Sequence, residues 1–127
     1  MQREGSLTEV LRRSDFAPPG GYADAVAQGL AQKDMKISQL RRFFGEIKSF
    51  EAKCRQQRQQ GTEAYELDEE FLLLPEVAYA VGRKLVPEAF YDLVRACINK
   101  DKVRSIDDME RFIEFMTAIV AYHKQYE

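Results

Sequence analysis

Between residues 37 and 60 the apolar side chains Ile37, Leu40, Phe43, Phe44, Ile47, Phe50 and Cys54 recur at three- and four-residue intervals. That spacing places them on one face of an α-helix and excludes the two-residue alternation of a half-buried strand. The same period returns along the chain. Tyr22, Val26 and Leu30 predict a short alanine-rich helix over residues 22–32. Leu74, Val77, Ala78, Val81 and Leu85 predict another, in which Pro75 either kinks the helix or sits in its first turn. Phe90, Leu93, Val94, Cys97 and Ile98 follow Pro87, which is suited to a helix start. Ser105 with Asp108 has the spacing of a capping box, with Asp in place of the usual Glu, and opens the last helix. That helix has two apolar lines. Met109, Phe112, Ile113, Met116, Ile119, Val120 and His123 form the first, and Phe115, Ala118 and Tyr122 the second. A surface so wide is either central in a bundle or covered by another chain.

No alternating stretch of useful length appears, so the chain reads as an all-α, compact bundle of four to five helices. Short connections favour antiparallel neighbours. Residues 1–21 read as a poorly ordered N-terminal segment, in which Leu7, Val10 and Leu11 support one short turn at most. Ala17-Pro18-Pro19-Gly20-Gly21 stops any helix there. Residues 22–127 then form a single bundle domain. Asp34 or Ser38 is the expected cap of the helix that begins near residue 37, Gly61 its expected end, and Asp68 the cap of the next.

Net charge is only −2, yet the charges are segregated. Arg41, Lys48 and Arg55 lie seven apart along one border of the residue 37–60 helix, and Arg42 and Lys53 lie along the other. Glu46 and Glu51 are its only acids. Directly afterwards, Glu63, Glu66, Asp68, Glu69, Glu70 and Glu76 form a purely acidic stretch. Two basic margins on a docked helix suit a polyanion, and the acidic stretch suits a basic neighbour.

Residues for chemistry are scarce. His123 has no second histidine or paired cysteine at ligand spacing and reads as a core or rim residue; no metal or other cofactor is expected. Cys54 and Cys97 fall on apolar helix faces and read as small, reduced core residues of an intracellular protein. Glu69-Glu70 and Asp107-Asp108 are sequence neighbours that do not face each other on a helix. No phosphate-binding glycine loop is present, and the chain reads as a non-enzyme. It has neither a signal-peptide core nor a span of about 20 apolar residues, so a cytoplasmic protein with no membrane contact is expected.

Three segments together resemble a known family. They are Ile37-Ser38-Gln39-Leu40-Arg41-Arg42-Phe43-Phe44 with Glu46-Ile47-Lys48, then Leu74-Pro75-Glu76-Val77-Ala78-Tyr79-Ala80-Val81-Gly82-Arg83, and Phe115-Met116-Thr117-Ala118-Ile119-Val120-Ala121-Tyr122-His123-Lys124. In order and spacing they are similar to the small all-helical subunit of type III-A CRISPR effector complexes, the small subunit of the Csm family. The resemblance implies a non-catalytic protein that stacks in several copies beside other subunits of the complex. It also implies support of the guide RNA–target RNA duplex through positive charge and shape. An A-form duplex can be held without base identity through phosphates and 2′-hydroxyls, so basic side chains on rigid helices suffice.

Arg41, Arg83 and Lys48 carry over from the motifs as RNA-binding residues. Arg42 and Lys53 join from helix position, and Lys84 from adjacency to Arg83. Gly82 either ends its helix or lets a backbone approach closely. Tyr79 and Tyr122 have an aromatic face for stacking on bases, but their helical spacing favours core packing. Lys124 is explained by the helix dipole alone. The competing reading is a helical interaction module whose basic margins meet an acidic partner protein without nucleic acid. A helix-turn-helix DNA reader fits poorly, because the cations run along a long helix rather than opening a short one.

Overall fold

A computed structural model describes residues 5–127. In chain order the helices are α1 (Leu7–Val10), α2 (Arg13–Phe16), α3 (Tyr22–Gln32), α4 (Ile37–Ser49), α5 (Glu51–Gln59), α6 (Leu73–Gly82), α7 (Glu88–Cys97) and α8 (Ile106–His123). Among the described residues there is no strand, only a single bridge between Ala64 and Ser105. With α4 and α5 taken as one interrupted rod, the bundle has the five helices that periodicity predicts.

The last helix is the axis. α8 packs against α1, α3, α4 and α5, which explains why its apolar surface is so wide. Met109, Phe112, Ile113, Met116 and Ile119 are buried, together with His123, whose Nε2 lies 2.8 Å from the Met35 carbonyl oxygen. The second line is covered as well, by the chain's own N-terminal segment. Phe16 meets Phe115 edge-on at 5.4 Å between ring centroids.

That packing corrects the expectation of a poorly ordered N-terminus. Leu7 and Phe16 are buried, and polar ties reinforce them. The Leu7 amide donates to the Lys102 carbonyl at 2.8 Å, and Arg111 donates to the Leu11 carbonyl at 2.7 Å. Helices of one turn have no periodicity to read, and their partners lie about a hundred residues away. Residues 1–4, included in the expectation, lie outside the described residues. The Pro-Pro-Gly-Gly run is a tight turn between α2 and α3. Gly21 N–H donates to the Pro18 carbonyl at 2.9 Å, and Gly20 takes a φ of 81° that favours glycine. A Cβ on Gly21 would meet the Asp15 carbonyl oxygen at 2.6 Å, so the turn closes only without a side chain.

One expected helix is divided. Ser49 Oγ donates to the Glu46 carbonyl at 2.5 Å at the last residue of α4. The Phe50 amide turns to Ile47, ψ moves to −9°, and α5 restarts at Glu51. Caps also differ from expectation. Lys36, with no side-chain bond, stands at the start of α4 in place of Asp34 or Ser38. Asp34 closes α3 from the left-handed region at φ 63°, with the Met35 amide reaching back to the Leu30 carbonyl. Gly61, at φ 77°, closes α5 in the same way, as expected. Pro75 lies in the first turn of α6 without a kink, and Pro87 is the cap of α7. Asp68 precedes a 3-10 turn (Glu69–Leu72), without a side-chain cap bond.

The capping box of α8 is present and does more than cap. Asp108, only 1% exposed, accepts the backbone amides of Thr8 at 2.9 Å, Arg104 at 3.0 Å and Ser105 at 3.1 Å. Burial pushes its carboxyl up, but these bonds outweigh that and hold it below the usual carboxylate range. Its folded-state pKa is thus depressed, so its stabilisation is present above the unfolded value and is lost as pH falls through the folded one. Asp108→Ala is expected to destabilise the protein by about 3 kcal/mol in urea unfolding at neutral pH. The difference from the parent should shrink at low pH; a constant difference would contradict this role.

Candidate nucleic-acid interface

Cations in the structure separate into those the fold uses and those it leaves outward. Lys53 belongs to the first group. Its ammonium donates to the Glu66 carbonyl at 2.8 Å, pairs with buried Glu70 at 3.2 Å and sits 4.6 Å from the Tyr65 ring centroid. The Tyr65 hydroxyl and the Asp68 amide complete the Glu70 site. Burial raises the Glu70 carboxyl, but the bonds from Tyr65 and Asp68 prevail and hold it low. The acidic stretch after α5 is therefore folded back onto that helix by its one buried member. Arg58 pairs with Asp107 and Glu110 of α8 in exposed bridges, without a buried partner.

Arg41 and Arg55 are exposed and make no ion pair among the described residues. Arg42 is exposed above the Phe43 ring at 5.0 Å, and Arg83 lies 5.8 Å from the exposed Tyr79 ring. Lys48 pairs with Glu51 at 3.0 Å across one helical turn, an exposed bridge worth at most about 1 kcal/mol and readily exchanged. Lys84 is exposed and sits in the left-handed region at φ 60°. Its amide bonds to the Val81 carbonyl and the Leu85 amide to the Ala80 carbonyl, the double closure of a helix end. Gly82, one candidate for that role, is instead the last residue of α6.

Two contacts relate α4 to the α6–α7 pair. Phe43 packs on Phe90 in the first turn of α7, with centroids 5.7 Å apart, and the Glu46 carboxyl lies beside that of Glu76. The α6–α7 turn, with Arg83 and Lys84, thus belongs to the same side of the bundle as the part of α4 that carries Arg42. Burial first, then the neighbouring carboxyl of Glu76, raise the Glu46 carboxyl to about 7, while Arg42 opposes the shift.

Two features of this surface depart from what the sequence suggests. Tyr79, expected in the core, is 67% exposed on the outer face of α6. Its neighbours Gly82 and Arg83, at i+3 and i+4, were the signal, since a small and a charged residue do not build a buried ridge. Tyr122, by contrast, is half-buried, packs against the core, and its hydroxyl donates to the Ala17 carbonyl. The second feature is the Tyr65–Glu70–Lys53 lock, which left no periodic trace. Elsewhere, burial pushes the Cys54 thiol up to about 11 and Cys97 to about 12, far from the thiolate character of a nucleophile. Among the described residues no group of three His, Cys, Asp or Glu side chains is placed to hold a metal, and no helix is long and apolar enough to cross a membrane.

Sealed thiols, a core histidine and exposed arginines on packed helices describe an all-helical bundle protein. Residues 18–127 match the family described as Csm2 Type III-A, so the chain belongs to the Csm2 family, small subunits of type III-A CRISPR effector complexes. No curated protein matches the chain, and no solved structure does.

Lys53→Ala is expected to cost about 3 kcal/mol of stability by leaving the buried Glu70 charge without its cation, measured by chemical unfolding. A variant as stable as the parent would free Lys53 for a binding role. Glu46 has the opposite sign from Asp108. Its raised folded-state pKa means that stability falls as pH rises from the usual carboxylate range toward about 7. Glu46→Gln should therefore raise the thermal midpoint at about pH 8 and leave it unchanged at about pH 4. Equal shifts at both pH values would contradict the raised Glu46 carboxyl.

Proposed function

We propose that this chain is a non-catalytic subunit that supports the guide RNA–target RNA duplex of its effector complex by contacts to phosphates. The observation that carries this reading is the family match, which covers the motifs holding Arg41, Lys48 and Arg83. In the structure Lys53 is held by buried Glu70, whereas Arg41, Arg42, Arg83 and Lys84 are exposed without an ion pair among the described residues, as are Arg12, Lys33, Lys36, Arg55, Lys100, Arg104 and Lys124 elsewhere, and Lys48 and Arg58 are held only by exposed bridges. Side chains on a helix margin meet a regular phosphate backbone without reading bases, so support of any guide sequence follows.

The other half of the charge pattern supports stacking in several copies. Glu63, Glu66, Asp68 and Glu69 are exposed and acidic, while the α4 margin is basic, so one copy offers the next a surface of opposite sign. Head-to-tail contacts of this kind extend into a filament, and many weak RNA contacts then act together. The protein acts in the cytoplasm, within the complex. The thiols and His123 remain inside the core and take no part in cleavage.

Arg41→Ala combined with Arg83→Ala is expected to weaken association with a guide–target duplex. It should also reduce the slope of log affinity against log salt by about 2, one unit for each phosphate no longer neutralised. Helix content by circular dichroism should stay unchanged. Loss of helicity would make the arginines structural, and binding equal to the parent would exclude them from the RNA surface.

A further inference from the structure

Tyr79 is the most exposed of the large apolar side chains among the described residues, at 67%. It stands on the outer face of α6 between Pro75, one turn before, and Gly82 and Arg83, one turn after. The fold makes no evident use of the ring. Its neighbour is the Arg83 guanidinium, 5.8 Å from the centroid. Gly82 is equally unexplained by the fold. It is helical, its φ is not in the left-handed region, and a Cβ there would meet nothing within 4 Å. A glycine in a helix costs up to about 1 kcal/mol relative to alanine, so an open helical glycine beside an exposed ring gains nothing for the fold. What it provides is clearance for something arriving from outside.

We propose that Tyr79, Gly82, Arg83 and Lys84 form a stacking site for one unpaired RNA base. This rests on the reading of the chain as an RNA-supporting subunit and adds an interaction that a continuous duplex does not offer. The base lies on the open face of Tyr79. Gly82 lets the ribose and backbone approach α6 closely, and Arg83 and Lys84 meet the flanking phosphates. Charge complementarity selects this occupant over a protein. Arg83 and Lys84 are exposed and make no ion pair among the described residues. Stacking on an aromatic ring is indifferent to base identity, which suits a subunit that serves any guide.

The test is photo-cross-linking in the assembled effector complex containing the full chain, with target RNA carrying 4-thiouridine throughout, and mass-spectrometric mapping of the adducts. Because Tyr79 is exposed, its replacements leave the core intact. An adduct on Tyr79 is expected, retained in Tyr79→Phe and reduced at least about fivefold in Tyr79→Leu, which keeps apolar area but loses the ring face. Gly82→Ala should raise the thermal midpoint yet lower the adduct yield. Unchanged yield in Tyr79→Leu, or adducts confined to other peptides, overturns the stacking site. Dissociation of the subunit from the complex in Tyr79→Leu would make the patch a protein interface and also overturns it. Failure of the phosphate reading is separate: it is the case in which the Arg41 and Arg83 double variant keeps its salt-dependent RNA affinity.

Discussion

A buried carboxylate whose oxygens are filled by backbone amides cannot be moved without exposing or orphaning several groups at once. Asp108 is such a group. It takes the Thr8 amide from the N-terminal segment and the Arg104 and Ser105 amides from the loop before α8, so three stretches of chain meet at one side chain. The rest of the structure depends on that knot. It sets where α8 begins, and α8 is the helix on which α1, α3, α4 and α5 pack. It also brings α1 and α2 over the second apolar line of α8, so that Phe16 reaches Phe115. Those two helices precede residues 18–127, the part that matches the family. They nonetheless share the bundle's core.

Glu70 repeats the device at the other end of the charge pattern. A carboxylate buried against Tyr65 and Lys53 draws the acidic stretch onto α5, and the Tyr65 amide and the Glu63 carbonyl tie the same loop to the residues around Ser105. The two buried acids are therefore linked through neighbouring backbone. One consequence is electrostatic. The lock with Glu70 takes Lys53 out of the exposed cations of α5, while Arg55 on the same helix stays outward.

Geometry at that turn follows from how α6 ends. The Schellman closure puts Lys84 in the left-handed region, where a non-glycine residue is strained by about 1 to 2 kcal/mol. Gly82, two residues earlier, would have relieved that strain had it occupied the closing position. Instead the glycine faces open space beside Tyr79, and the lysine takes the strained place. Asp34 closes α3 by the same device, also without glycine.

By itself the sequence determined the helices, because apolar spacing of three and four over eleven or more residues is a local property that any core must respect. The bounds of α3, the capping box at Ser105 and the all-helical class were legible for that reason. So were the motifs around Arg41 and Arg83, and with them the family. Tertiary structure alone decided the packing of residues 7–16 on α8 and the retreat of Lys53 into the fold. Each of these turns on a partner that periodicity does not reveal, Phe115 for the first and Glu70 for the second. Lys53 and Arg42 read alike as cations on one helix border, and only the arrival of Glu70 distinguishes them. Periodicity tells which side of a helix is buried, but whether a charge is free depends on what packs beside it.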